Sequence, residues 1–162
     1  PDDPIGFHNH AVYLEITESA AFEHRELCER VLREVCSRTG AKMVIDDFGQ
    51  GYSNLHRIIA LEPEVVKLDM SLVRNLHRDK RKQTIVKHAV KMCVEAGAKV
   101  VAEGIETPRE LQACQEAGAH YGQGYLFARP SFPPRNIRWP ARAGGSTPAP
   151  GRLQRPKFKI KT

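Results

Sequence analysis

Residues 42–51 read KMVIDDFGQG, an apolar run that ends in two adjacent aspartates and two closely spaced glycines. Similar runs of β-branched and apolar residues lie at 12–17, 65–69, 99–102 and, less regularly, 120–127. Segments with helical periodicity separate them, at 22–38, 54–61, 80–95 and 108–116. This alternation predicts parallel strands joined by helical crossovers.

The ends of the predicted helices carry matching signals. Gly40, Gly97 and Gly118 each follow a helical segment, where a glycine commonly adopts the left-handed conformation. Thr107 precedes Pro108, and Glu110 follows three residues after Thr107, a pattern typical of a capping box at a helix start.

Two architectures fit this order of elements: an open doubly wound sheet and part of a (β/α)8 barrel. The strands are apolar without strict alternation, as in a parallel sheet covered on both faces. No GxGxxG pattern follows the first strand, which weakens the dinucleotide-binding form of the open sheet. The sequence therefore predicts an α/β fold and leaves both architectures open.

The charge is divided unevenly along the 162 residues, which carry a formal net charge of +6. Nine of the 25 basic residues lie in 129–162, where Asp and Glu are absent, so the first 128 residues hold 16 basic and 19 acidic residues. This mildly acidic part argues against a basic nucleic-acid-binding domain. Because residues 131–162 are rich in proline and glycine, we expect a flexible basic tail there.

The location is predicted from three absences in the sequence. There is no apolar run of membrane-spanning length and no signal-peptide pattern at the N-terminus. The four cysteines are scattered, without a CxxC pair. We therefore expect a cytoplasmic protein with no membrane segment.

Polar side chains recur where the predicted strands end. They are Glu15, Asp46, Asp47, Lys67, Asp69, Glu103 and Gln123. In a parallel sheet these ends lie along one rim, where barrel active sites are built. Carboxylates gathered there would repel one another without a cation, so the pattern predicts a divalent metal site.

The spacing within this set leaves some alternatives open. Asp46 and Asp47 are neighbours, and neighbouring strand residues point to opposite faces. Gly49 and Gly51 allow a sharp turn that could bring both carboxylates to one site. Either Glu103 or the nearby Glu106 could instead cap the helix that follows.

The residue types indicate the chemistry. Oxygen ligands without Cys or His favour Mg²⁺ or Mn²⁺ over zinc. Two such ions suit in-line attack at phosphorus. The residues therefore indicate metal-dependent phosphoester hydrolysis, with sugar isomerisation or enolisation on a barrel as the competing chemistry.

Five segments, in order over residues 12–130, resemble motifs of the EAL-domain family. Residues 13–19 resemble its LEITES strand, 45–55 its DDFGTGYSSL loop, 66–69 its KID motif, 100–107 its VVAEGVET segment and 123–130 its QGYLFSRP close. The resemblance implies a (β/α)8 barrel that hydrolyses cyclic di-GMP to linear pGpG with two Mg²⁺ or Mn²⁺ ions.

The resemblance also implies a role for each matching residue. The implied metal ligands are Glu15, Asp46, Asp47 and Glu103. Lys67 would hold the attacking water, and Glu103 would also be the general base. Asp69 and Gln123 would position water or substrate. Glu18 would anchor loop 48–55, which links the metal site to a homodimer interface in this family.

Part of the family pattern is absent from the 162 residues. The EAL tripeptide and a metal-binding asparagine lie upstream of the LEITES strand in the family. We therefore expect residues 12–130 to be the C-terminal part of the domain, after a segment 1–11 of unclear structure. Without the missing N-terminal half, we expect catalysis to be incomplete. The alternative is a non-catalytic module that binds cyclic di-GMP or regulates. We expect no specific nucleic-acid partner.

Overall fold

A computed structural model of the chain describes residues 11–17, 25–50 and 54–131, and the backbone of 159–160. The strands are β1 Tyr13–Ile16, β2 Lys42–Phe48, β3 Val65–Leu68, β4 Lys99–Ala102, β5 Tyr121–Gly122 and β6 Lys159–Ile160. The helices are α1 Arg25–Thr39, α2 Asn54–Leu61, α3 Met70–Val73, α4 Lys80–Glu95 and α5 Pro108–Ala117, with one 3-10 turn at Leu76–Arg78. The predicted alternation of strands and helices is confirmed.

The order of the strands decides between the two predicted architectures. Each strand pairs in parallel with the next one along the chain, so the sheet runs β1 to β6 in sequence order. In a doubly wound sheet the strand order reverses at a switch point, whereas in a barrel wall the strands follow in sequence order. The described sheet is therefore part of a barrel wall.

The two faces of the sheet have different neighbours. On one face, Ile45, Val66 and Val100 pack into the main core, which also contains buried side chains of α4 and α5. On the other face, Val44 and Val65 join Val101 in a separate apolar cluster. Side chains two residues further along these strands share this second face, and the polar site lies there.

The helix ends agree with the sequence signals. Gly40, Gly97 and Gly118 have φ angles of 72°, 89° and 95°, in the left-handed region. Thr107 accepts a hydrogen bond from the backbone of Glu110, whose side chain accepts one in return, so the predicted capping box is present. These short-range patterns depend on local geometry alone, which explains why they were predictable.

The structure departs from the predicted elements in three places. Only Tyr121–Gly122 is strand within the predicted strand 120–127, because a turn follows at once. Helix α3 and the 3-10 turn after it were not predicted. In the segment 131–162, Lys159–Ile160 form a strand that the proline and glycine content did not indicate. Residues 1–10, 132–158 and 161–162 lie outside the described part, so the predicted tail stays a prediction.

Candidate metal site

Lys67 of β3 lies at the centre of the polar rim, with carboxylates from β1, from β2 and from the residue directly after β4 around it. Its Nζ atom is 2.8 Å from Asp46 Oδ1, 2.9 Å from Glu103 Oε1 and 3.3 Å from Glu15 Oε2. The Lys67 side chain is only 9% exposed, so its charge faces these groups rather than solvent. The structure thus brings together four of the predicted site residues.

A bulge in β2 adds Asp47 to this cluster. The pairing of β2 with β3 shifts register between Ile45 and Phe48, and Asp47 adopts a φ of 55°. The Asp47 N–H also donates a 3.0 Å hydrogen bond to Asp46 Oδ1. Bulges re-aim side chains in this way. The carboxylates of two adjacent residues therefore reach one site at a bulge in β2, which the glycine pattern of the sequence did not indicate.

The cluster has the geometry of a cation site. One carboxylate oxygen from each of Asp46, Asp47 and Glu103 lies within 4.8 Å of the others. With Glu15 and Lys67 included, four carboxylates surround one ammonium, a formal charge of −3. Such a surplus of negative charge on hard oxygen ligands suits Mg²⁺ or Mn²⁺.

One oxygen of Glu103 supports the same conclusion. Glu103 Oε1 is buried and accepts no well-directed hydrogen bond, although Lys67 Nζ is 2.9 Å away. A buried carboxylate oxygen without a directed donor is costly. A divalent cation held by Asp46, Asp47 and Glu103 would satisfy this oxygen, so the residues fit a metal ion.

The protonation properties of the site follow from burial and charge. Burial alone would lower the pKa of the Lys67 ammonium, but the adjacent carboxylates of Asp46 and Glu103 outweigh this effect, and the pKa is raised. Burial raises the pKa of Glu103. The Lys67 ammonium opposes this shift, whereas the charges of Asp46 and Asp47 reinforce it. Lys67 therefore stays charged, and the Glu103 carboxylate is more basic than an exposed one.

Asp69 is held by hydrogen bonds outside this cluster. It is 3% exposed; its Oδ1 accepts from the Ser71 N–H and its Oδ2 from Gln50 Nε2, each at 2.8 Å. Burial would raise the pKa of Asp69, but these hydrogen bonds outweigh it and lower the pKa. Gln50 had no signal in the sequence, because its partner is 19 residues away.

The remaining predicted site residues are Gln123 and Glu18, of which the structure describes Gln123. Gln123 is exposed, and its backbone bridges two segments, donating to Ala102 and accepting from Ile105. Glu18 and residues 51–53 of loop 48–55 lie outside the described residues.

Arg57 is a buried residue with a long-range contact that its sequence context does not indicate. It is 8% exposed, and its Nη1 donates a 2.7 Å hydrogen bond to the carbonyl of Thr17. That contact ties α2 to the chain just after β1, two residues beyond Glu15. An arginine inside an amphipathic helix gives no sequence signal of such a contact.

The two glutamates after β4 have separate surroundings. Glu103 belongs to the cluster, while Glu106 forms a 3.1 Å ion pair with Arg74. The helix cap comes from Thr107 and Glu110. Neither glutamate is therefore the cap of α5, which resolves the alternative left open by the sequence.

The fold and the site define a barrel-type α/β domain with an acidic rim around a buried lysine. The family model described as EAL domain matches residues 5–130. Because that match covers more than half of the chain, the chain belongs to the EAL domain family, of which it contains the C-terminal part.

Named relatives and solved structures agree with this assignment. Cyclic di-GMP phosphodiesterase PdeR of Escherichia coli (strain K12) is 33% identical over 135 residues, which are 83% of this chain and 20% of that protein. The c-di-GMP bound form of a standalone versatile EAL protein from Vibrio cholerae O395 is 34% identical, with a TM-score of 0.71 over 78% of this chain and 53% of that one.

A second similar structure contains a metal. The Klebsiella pneumoniae BlrP1 manganese/cy-diGMP complex at pH 9.0 is 39% identical, with a TM-score of 0.67 over 74% of this chain and 30% of that one. The chain thus spans about half of the Vibrio protein and a smaller share of the other two. Among the described residues, no helix is long and apolar enough to cross a membrane.

Proposed function

We propose that this chain contributes the C-terminal half of a metal-dependent phosphodiesterase site that hydrolyses cyclic di-GMP to linear pGpG. The observation that carries the proposal is the buried Lys67 ammonium held by carboxylates from β1, from β2 and from the residue directly after β4. The cyclic di-GMP named in similar proteins supplies the substrate.

The ion would be held by Glu15, Asp46, Asp47 and Glu103. Bound Mg²⁺ or Mn²⁺ supplies charge stabilisation for attack at phosphorus. A second ion, the predicted homodimer through loop 48–55 and a cytoplasmic location remain predictions.

The residues of this chain have distinct parts in the reaction. Glu103 would accept a proton from the attacking water. Lys67 stays charged and holds that water beside Asp46 and Glu103. The water oxygen bonds to phosphorus, one ester bond breaks, and the departing 3′-oxygen takes up a proton. Asp69 and Gln123 position water or substrate.

The complete domain, rather than residues 1–162 alone, is expected to turn over the substrate. The EAL tripeptide and the family's metal-binding asparagine have no counterpart in this sequence. The 162-residue chain alone should therefore hydrolyse cyclic di-GMP at most slowly, because part of the ligand set is absent.

Two variants of the complete domain test the catalytic proposal. Glu103→Gln should lower turnover with Mn²⁺ by about 10²–10⁴-fold, because the nearly isosteric amide cannot accept the proton. Glu106→Gln is the control, since Glu106 lies three residues away and pairs with Arg74. The pGpG product is measured by liquid chromatography and folding by circular dichroism.

Two results of the same assay would contradict the catalytic proposal. Full activity of Glu103→Gln would remove Glu103 from the reaction. Tight binding of cyclic di-GMP by the unmodified complete domain, without any turnover, would favour the non-catalytic binding module instead.

A further inference from the structure

The last strand of the described sheet comes from the C-terminal segment of the chain. Lys159 and Ile160 pair in parallel with Tyr121 and Gly122 of β5. The other side of β5 is already paired, with Val101 and Ala102 of β4. Since a strand has two hydrogen-bonding edges, β6 takes the remaining edge of β5.

The sequence around β6 has the pattern of a strand. Residues 157–161 read Lys-Phe-Lys-Ile-Lys, a strict alternation of cationic and apolar residues. This period of two is typical of a strand with two different faces. Pro156 precedes this alternation, so the missing N–H of proline does not fall within it. Lysines are also residues that keep sheet edges from recruiting other chains.

The edge of β5 has a defined place in the complete fold. In a closed (β/α)8 barrel the last strand pairs with the first. Because the chain matches the C-terminal part of an EAL domain and β5 follows all the other matched strands, this edge is where the first strand of a closed barrel would pair. That strand and β6 cannot both occupy it.

We propose that the second hydrogen-bonding edge of β5 is a strand-docking site, that Lys159–Ile160 occupy it in this chain, and that this strand and the first barrel strand exclude each other there. This inference depends on the fold alone and is independent of the proposed catalytic function. The role that this inference assigns to β6 is to cover a sheet edge, which the basic composition of the C-terminal segment does not indicate.

Proline substitution in the full chain tests the docking. Ile160→Pro removes a backbone N–H from β6 and should release the segment. The amides of Tyr121 and Gly122 should then exchange with deuterium at least tenfold faster. Leu153→Pro is the control, a proline in the same tail but outside 157–161, and should leave exchange unchanged. If Ile160→Pro alone abolished cooperative unfolding, that would also support docking, because a segment without contacts cannot do so.

A labelled peptide of residues 155–162 tests occupancy of the edge directly. It should bind the Ile160→Pro protein, whose edge is free, and bind the unmodified chain at least tenfold more weakly. The same peptide carrying Ile160→Pro should not bind either protein. Equal deuterium exchange in the unmodified chain, Ile160→Pro and Leu153→Pro would overturn the proposal. Equal peptide binding to the unmodified chain and Ile160→Pro would overturn it as well.

The complete domain tests the exclusion. With the first barrel strand in place, the labelled peptide should not bind, and Ile160→Pro should not change exchange at Tyr121 and Gly122. Peptide binding to the complete domain would show that the two strands do not share one edge.

Discussion

One carboxylate oxygen of Glu110 accepts a 2.8 Å hydrogen bond from the backbone N–H of Asn75. Its other oxygen accepts from the N–H groups of Glu106 and Thr107, at 3.1 Å and 3.0 Å. Glu110 therefore joins the start of α5 to the segment after α3, besides completing the capping box. Asn75 itself has a φ of 57°, so this carboxylate also stabilises a left-handed turn.

The first prediction concerns the pH dependence of this contact. Burial would raise the pKa of Glu110, but its hydrogen bonds outweigh it and lower the pKa below the ordinary value of 4.5. A folded pKa below the unfolded one stabilises the protein above about pH 4.5, and this stabilisation is lost as pH falls through the folded value. Glu110→Gln should lower the free energy of unfolding by about 1–3 kcal/mol at pH 7, and by less at pH 3.

Urea unfolding at both pH values measures this difference. Glu116→Gln is the matched control, because Glu116 is exposed on the same helix and should change stability by less than about 0.5 kcal/mol. An equal cost of Glu110→Gln at pH 7 and pH 3 would contradict the prediction.

The second prediction compares two glycines with positive φ. A β-carbon at Gly124 would lie 2.3 Å from the backbone N and O of Ile105, whereas one at Gly40 would have nothing within 4 Å. Gly40→Ala should cost about 1–2 kcal/mol, the penalty of the left-handed backbone. Gly124→Ala should cost at least about 3 kcal/mol, because backbone atoms cannot move aside cheaply. Thermal unfolding of the two variants measures this difference in stability. Similar melting temperatures would show that the backbone around Ile105 moves aside at little cost.

The third prediction concerns the lysine at the centre of the site. Lys67→Met removes the ammonium between Asp46 and Glu103, so the remaining carboxylates should bind Mn²⁺ about tenfold more tightly, on the order of 1.4 kcal/mol. In the complete domain the same change should lower turnover, because Lys67 no longer holds the water. Calorimetry and the pGpG assay measure the two effects.

A lysine elsewhere provides the control for this change. Lys42 pairs with Glu64 at 2.6 Å, away from the cluster. Lys42→Met should change neither Mn²⁺ affinity nor turnover beyond about twofold. Weaker Mn²⁺ binding by Lys67→Met would mean that Lys67 organises the carboxylates rather than competing with the ion.

The sequence predicted which residues form the site better than it predicted how the backbone brings them together. Carboxylates after apolar runs identified Asp46, Asp47 and Glu103, because parallel strands bring such ends to one rim. The bulge at Asp47 could not be predicted, since it depends on the register between β2 and β3. The Gln50 contact with Asp69 depends likewise on tertiary packing over 19 residues.

The same division holds for the fold. Caps at Thr107 and Gly118 are local and were predicted correctly. The short strand Lys159–Ile160 was not predicted, because the alternation around it is only five residues long, its surroundings are rich in proline, and its pairing partner lies 38 residues earlier in the chain. A two-residue strand is defined by its neighbour, and composition carries no information about a neighbour.

The left-handed backbone at Asp47 places two separate demands on one side chain. Aspartate and asparagine tolerate this conformation better than glutamate, whose longer side chain cannot bond locally to relieve it. Asparagine would therefore keep the bulge and lose the charge, while glutamate would keep the charge and strain the bulge. A saturation scan at this one position should separate variants that fold without binding Mn²⁺ from variants that fold poorly, and only aspartate should satisfy both demands.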